Sequence, residues 1–271
     1  MRNPTRRNRN IGTAKQGFGQ NNKLVVPYHA EEMKFFYEKL GEYTVVERII
    51  NNHRFKFIIE KTRENSFHAC TIDDLEIILS LIPKKDYGDL ELIILRQPTR
   101  KEENLKPVWG RLIYSYEFEN EYFPAIIIEA IDLERSFKWP KKLSVDGQKE
   151  LERLKEDGHN IVMGKRYFEA EYKIEHIRAT QLYRTLPHEF GHYVHYLNVV
   201  ERSEKPNEEY DAWEKRWNAY HSLPTSEKES FAHSYADTFK SQLEAKYLIP
   251  FDRILDLDSM KKDGLKISDF E

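Results

Sequence analysis

The chain has 271 residues, enough to bury a substantial core, with a formal net charge of -3, 33% charged and 39% hydrophobic residues. That balance points the chain as a whole neither to nucleic acid nor to a membrane surface, and no apolar run approaches the roughly 18 residues that a membrane span needs. A single cysteine, Cys70, excludes an internal disulfide and a multi-thiolate metal site, so any metal must be held by histidine and carboxylate.

Residues 1 to 22 set Arg2, Arg6, Arg7, Arg9 and Lys15 among Asn, Gly and Gln, and they read as a disordered basic tail. Contact with nucleic acid or an acidic partner is open to such a tail, beside the plainer reading of a solubilising terminus. No hydrophobic segment follows its charges, so a cytoplasmic location is expected, with release by a non-classical route left open. From Pro27 the pattern is that of a folded chain. Met33, Phe36 and Leu40 predict a helix over Glu31 to Leu40, ended by Gly41. Thr44 to Ile50 and Phe55 to Glu60 are rich in β-branched and aromatic residues and read as a hairpin around Asn51, Asn52 and His53. Thr71 and Asp74 form a capping-box pattern ahead of Leu75, Ile78, Leu79 and Ile82, which predicts a second helix before Pro83.

Strands are expected over Glu91 to Arg96, Arg111 to Phe118 and Pro124 to Ile131. The last is the most apolar, and two readings of it stay open: an edge strand that pairs with a peptide, or a buried central strand. Ser144 to Glu156 reads as a charged helix ended by Gly158, and Ile174 to Arg184 as another. Pro187 fits only a first helical turn, so the next helix is expected to start beside it with Thr185 as cap. Tyr210, Trp213, Trp217 and Tyr220 fall on one helical face, a stripe that reads as core.

The helix after Thr185 holds His188-Glu189-x-x-His192. Residues four apart on a helix lie on one face, roughly 6 Å up the axis, so both imidazoles can converge on one ion while Glu189 stands beside it as a proton acceptor. Phe190, Val194 and Leu197 supply an apolar face for the core. His195 stands about 10 Å along the axis from His188, too far for all three rings to share an ion. A catalytic zinc takes three protein ligands and keeps one position open, so a third ligand is expected from another helix. Ser226-Glu-Lys-Glu229-Ser-Phe-Ala232-His-Ser-Tyr-Ala236-Asp237 offers Glu229, whose face carries the small Ala232 and Ala236 that permit close approach. Glu229 also has a plainer reading as a capping partner of Ser226, and His233 stands one turn further on.

The His-Glu-Phe-Gly-His run followed by Glu229-x-x-Ala232 resembles the gluzincin metallopeptidases. It is closest to the anthrax lethal factor catalytic-domain group and also similar to the ImmA/IrrE family, over about Thr185 to Lys240. The resemblance implies zinc, one per chain, on His188, His192 and Glu229. It also implies Glu189 as general base toward a metal-activated water, and a tyrosine that stabilises the oxyanion. Tyr220 is the candidate, although it lies nine residues before Glu229 where the lethal-factor pattern has seven. At His233 the family often has an acidic or amide residue, which leaves Asp237 or a backbone carbonyl to orient a zinc-bound imidazole. A metzincin would need Gly and His where this chain has His195 and Asn198.

The expectation is thus a zincin-like α+β domain over residues 23 to 250, between the basic tail and a C-terminal tail of 251 to 271. A small β-sheet with helices would form the N-terminal half, and a mostly helical C-terminal half would carry the site. The function expected is zinc-dependent hydrolysis of a protein or peptide substrate. The alternatives are a catalytically inactive binding module and a nucleic-acid-associated protein acting through its tail.

Overall fold

The computed structural model describes residues 35–105, 108–202 and 208–271. The chain divides into two compact units, Met1–Lys39 and Leu40–Glu271. In the first, Phe36–Glu38 is a single 3₁₀ turn, closed by the Glu38 carboxylate accepting from the Phe35 N–H at 2.8 Å. The helix expected over Glu31 to Leu40 is therefore reduced to that turn where it is described. Its earlier residues and the basic tail lie outside the described residues, as does any nucleic-acid contact through that tail.

The second unit is α+β. Five strands, β1 (Tyr43–Ile50), β2 (His53–Glu60), β4 (Leu92–Arg96), β5 (Gly110–Phe118) and β6 (Glu121–Glu129), form a mixed sheet in the order β1-β2-β4-β6-β5. The outer pairs are antiparallel and the inner two parallel. Asn51 and Asn52, at φ 52° and 57°, make the two-residue turn of the first hairpin, the geometry asparagine tolerates best after glycine. His53 is not in the turn. It opens β2 opposite Ile50, and its Nε2 lies 2.9 Å from the Leu90 carbonyl. Pro124 sits within β6 opposite an irregularity between Ile113 and Tyr116 of β5, where a missing N–H costs no ladder bond.

β6 is an interior strand, so its open alternative resolves to the buried reading, and the edge strand beside it is β5. Two short pairs complete the strands: β3 (Ser66–Phe67) with β7 (Ile131–Asp132), and a three-stranded sheet β8 (Phe137–Pro140), β10 (Tyr167–Ala170), β9 (Ile161–Met163) in the order β8-β10-β9.

Helix α1 (Ile72–Leu81) has the capping box that its sequence predicts, with Thr71 and Asp74 exchanging two hydrogen bonds of 3.1 Å. α2 (Arg100–Leu105) is short, and α3 (Val145–Glu156) is capped by Ser144. From Ile174 to Glu201 the chain is helical without a break: α4 (Ile174–Thr180), a π-turn at Gln181–Thr185, α5 (Leu186–Tyr196), and a second π-turn at Leu197–Glu201. Thr185 therefore caps nothing. Pro187 has no N–H to give, and the wider turn before it accommodates that loss, with Leu186 N–H reaching back five residues to the Gln181 carbonyl.

Further on come α6 (Tyr210–Ser222), α7 (Thr225–Ala245) and α8 (Leu257–Lys262). The core lies between one sheet face (Phe55, Phe57, Ile93, Leu95, Ile126, Ile128) and α1, α5 and α7 through Leu75, Ile78, Phe190, Tyr193 and Phe239. Burying each such side chain contributes about 1.5–3 kcal/mol.

Two expectations are corrected here. The stripe on α6 is not core: Tyr210 is 69% and Trp217 38% exposed, their rings stacked along the helix with Trp213, and only Tyr220 is buried. Helical spacing aligned these rings, but the helix packs inward through its last turn. Residues 251 to 271 are no tail. Phe270 and Met260 join the core, and Asp269 accepts from the Thr62 N–H at 3.1 Å. Among the described residues no helix is long and apolar enough to cross a membrane.

Candidate metal centre

α5 and α7 cross with Gly191 set against the backbone of Ala232. A Cβ added to Gly191 would lie 2.8 Å from the Ala232 Cα, and both Ala232 and Ala236 are buried. This close approach sets Glu229 over His188 and His192. The two imidazole Nε2 atoms are 3.1 Å apart, and Glu229 reaches them at 3.3 and 3.5 Å. The capping reading of Glu229 fails, because α7 begins at Thr225 and Ser226 already lies inside it.

These three residues could hold a metal ion, their ligand atoms all within 4.8 Å of one another. The separations provide a test. Bonds of about 2.0–2.1 Å in a tetrahedron put neighbouring donors roughly 3.3–3.4 Å apart, and the observed 3.1, 3.3 and 3.5 Å bracket that edge. The donor set, two imidazoles and one carboxylate, is also of the kind zinc takes with a fourth position left open. The residues present fit the ion.

The hydrogen bonds from the histidines hold the Glu229 carboxyl well below the usual carboxylate range. Beside the pair, Glu189 is 9% exposed, and its Oε2 accepts from the Leu112 N–H of edge strand β5 at 2.8 Å. Burial raises its pKa above the ordinary value, against the lowering effect of His188, His192 and that amide. Its other oxygen has no protein partner among the described residues. The carboxylate lines a cleft of about 340 Å³ with Gly110, Trp139, Arg184, His188, Glu229 and His233.

Tyr220 is placed elsewhere. It is fully buried, its hydroxyl 2.7 Å from that of Tyr114 on β5 and donating to the His192 carbonyl at 3.1 Å, and it does not line the cleft. It braces the back of α5. His195 is buried on the same side, its ring stacked on Phe231 at 4.4 Å and edge-on to Tyr220. His233 stays at the rim, its ring 4.4 Å from that of His188 and its Nε2 accepting from Arg153 Nη1 at 3.1 Å. Burial and the neighbouring His188 lower its pKa to about 4. Asp237 makes no hydrogen bond to either imidazole, and the buried His188 Nδ1 has no hydrogen-bond partner among the described residues.

Three contributors were not singled out from sequence: the Leu112 amide, Gly191 and Arg153. Gly191 lies inside the motif, and its pairing with the alanines of α7 was the signal available. The other two are far from the motif in sequence, and nothing in their local pattern marks them. Comparison with protein-family models, with characterised proteins and with solved structures found no match for this chain.

Proposed function

We propose that the chain is a zinc-dependent metallopeptidase of the gluzincin type, with a zincin-like arrangement of sheet and helices. The observation that carries this reading is the convergence of His188, His192 and Glu229 at tetrahedral-edge separations, with a buried carboxylate, Glu189, alongside. A bound zinc supplies Lewis acidity, lowering the pKa of a water and polarising a scissile carbonyl. Glu189 takes the proton from the attacking water and passes it to the leaving amine. The Leu112 amide orients its Oε2, which leaves Oε1 for that transfer.

Edge strand β5 runs past this carboxylate and gives an extended peptide a backbone to pair with. Tyr220, already engaged with Tyr114 and the His192 carbonyl, orients the helix, and a cleft-lining group such as His233 is better placed than Tyr220 to meet developing negative charge. An inactive binding module would have no use for a carboxylate buried and oriented beside the ion.

Elemental analysis of the purified chain should find about one zinc, removable by chelation and restored by titration, with cleavage of an unfolded protein following the metal. A folded chain with both histidines intact that neither retains nor rebinds zinc would sink the proposal.

A further inference from the structure

The cleft does not end at the metal centre. Past Glu150, Glu229 and His233, which line both, it opens into a groove of about 1020 Å³ between α3 and α7. That exceeds what one side chain needs and is ample for a short run of peptide. Every side chain lining it is polar. On the α7 wall the exposed Ser230, Ser234 and Thr238 follow one another a turn apart. On the α3 wall stand Lys149 and Arg153, also one turn apart, and neither has a carboxylate within ion-pair distance among the described residues. Arg153 spends one donor on His233 and keeps the rest. The neighbouring carboxylates of Glu150 and Glu229 are engaged elsewhere, Glu150 with Arg184 at 3.2 Å and Glu229 with the two histidines.

We infer that this groove takes an acidic side chain of the peptide, a few residues to one side of the bond that is cut, an inference that rests on the peptidase reading above. Two cations with no carboxylate in ion-pair distance among the described residues, facing a row of hydroxyl donors, suit a carboxylate. Asp237, on α7 a turn beyond His233, repels an anion from its own stretch of the groove and confines the acidic residue to that of Lys149 and Arg153.

The test uses a synthetic peptide library randomised at every position, incubated with the zinc-loaded chain and read by mass spectrometry. Asp or Glu is expected at one fixed position on one side of the cleavage sites. Lys149→Glu should then lower kcat/KM on a peptide carrying that acid by roughly tenfold and shift the preference toward Lys at the same position, with zinc content unchanged. High salt should erode the parent's preference. Cleavage without an acidic position, or a Lys149→Glu variant with the parent's preference, overturns this inference and leaves the peptidase standing. No cleavage of any peptide by the zinc-loaded parent overturns both.

Discussion

Two polar clusters share one face of the helical run from α4 into α5, where Thr180, Arg184, His188 and His192 follow at intervals of four. At its start the Asp157 carboxylate is met only by donors: Thr180 Oγ1 at 2.9 Å and Arg184 Nη2 at 2.7 Å on one oxygen, and Lys240 Nζ at 3.4 Å on the other. His159 closes that cluster from the far side of Thr180, at 3.0 Å. Two turns on, Glu229 faces two imidazole nitrogens, and three groups with lone pairs converge. The first cluster is balanced by the chain's own charges and is structural. The second, the open one, is a carboxylate and two imidazoles that converge. Burial and polarity are common to both, and what separates them is whether protein cations meet the carboxylate, as Arg184 and Lys240 meet Asp157.

The largest effect expected is at the open cluster. Glu189→Gln should keep its zinc and lose about two to four orders of magnitude in peptidase turnover, because the amide cannot take the proton. Turnover equal to the parent's on any cleaved peptide would remove Glu189 from that role.

Next, Glu229→Ala should weaken zinc by orders of magnitude, while His233→Ala, if it removes only a neighbour of the proposed ligands, should cost at most about 10- to 100-fold. Zinc titration of both decides it, and the reverse ranking would move the ligand to His233.

The closed cluster should respond in the opposite currency. Asp157→Ala leaves Arg184 paired, among the described residues, only with the partly exposed Glu150 and should cost up to about 3–5 kcal/mol of folding stability by urea denaturation. The part that stays folded should bind zinc as the parent does. A loss of zinc affinity without a loss of stability would mean that the two clusters are not separate.

The smallest effect expected comes from a closed group away from both. His68 is 2% exposed, and burial brings its pKa down to about 4, against 6.5 for a free side chain. The unfolded chain therefore takes up the proton first. The stability contributed by neutral His68 is complete above pH 6.5 and drains away as pH falls toward 4, about 2 kcal/mol of it by pH 5. Urea unfolding at pH 7 and pH 5 should show the parent losing about that much more than His68→Gln, and equal losses would show that His68 does not report the change.

The α+β class was legible, and so were most of the elements. The Thr71 box, the Asn51-Asn52 turn and the strands through Leu92 and Ile126 are written in local propensity and period, and the structure has them within a few residues. The elements that misled were those whose fate depends on a distant partner. The α6 stripe has a perfect helical period and still faces solvent, because period says which residues share a face and not what covers it. Residues 251 to 271 look tail-like in composition yet end on the fully buried Phe270, since one aromatic reaching the core is enough to tie a polar segment down.

At the site the division is the same. The sequence by itself determined that His188 and His192 share a helical face and that Glu189 is beside them, because a spacing of four on a helix leaves no other arrangement. It also offered small residues where a second helix could approach. Only the tertiary structure decided that Gly191 meets Ala232, that Glu229 completes the group, that Tyr220 turns to the Tyr114 hydroxyl and the His192 carbonyl, and that Leu112 and Arg153 come in from elsewhere. Helical geometry is fixed by backbone hydrogen bonds within a few residues, whereas these contacts are set by how separate elements pack, and no local pattern encodes that packing.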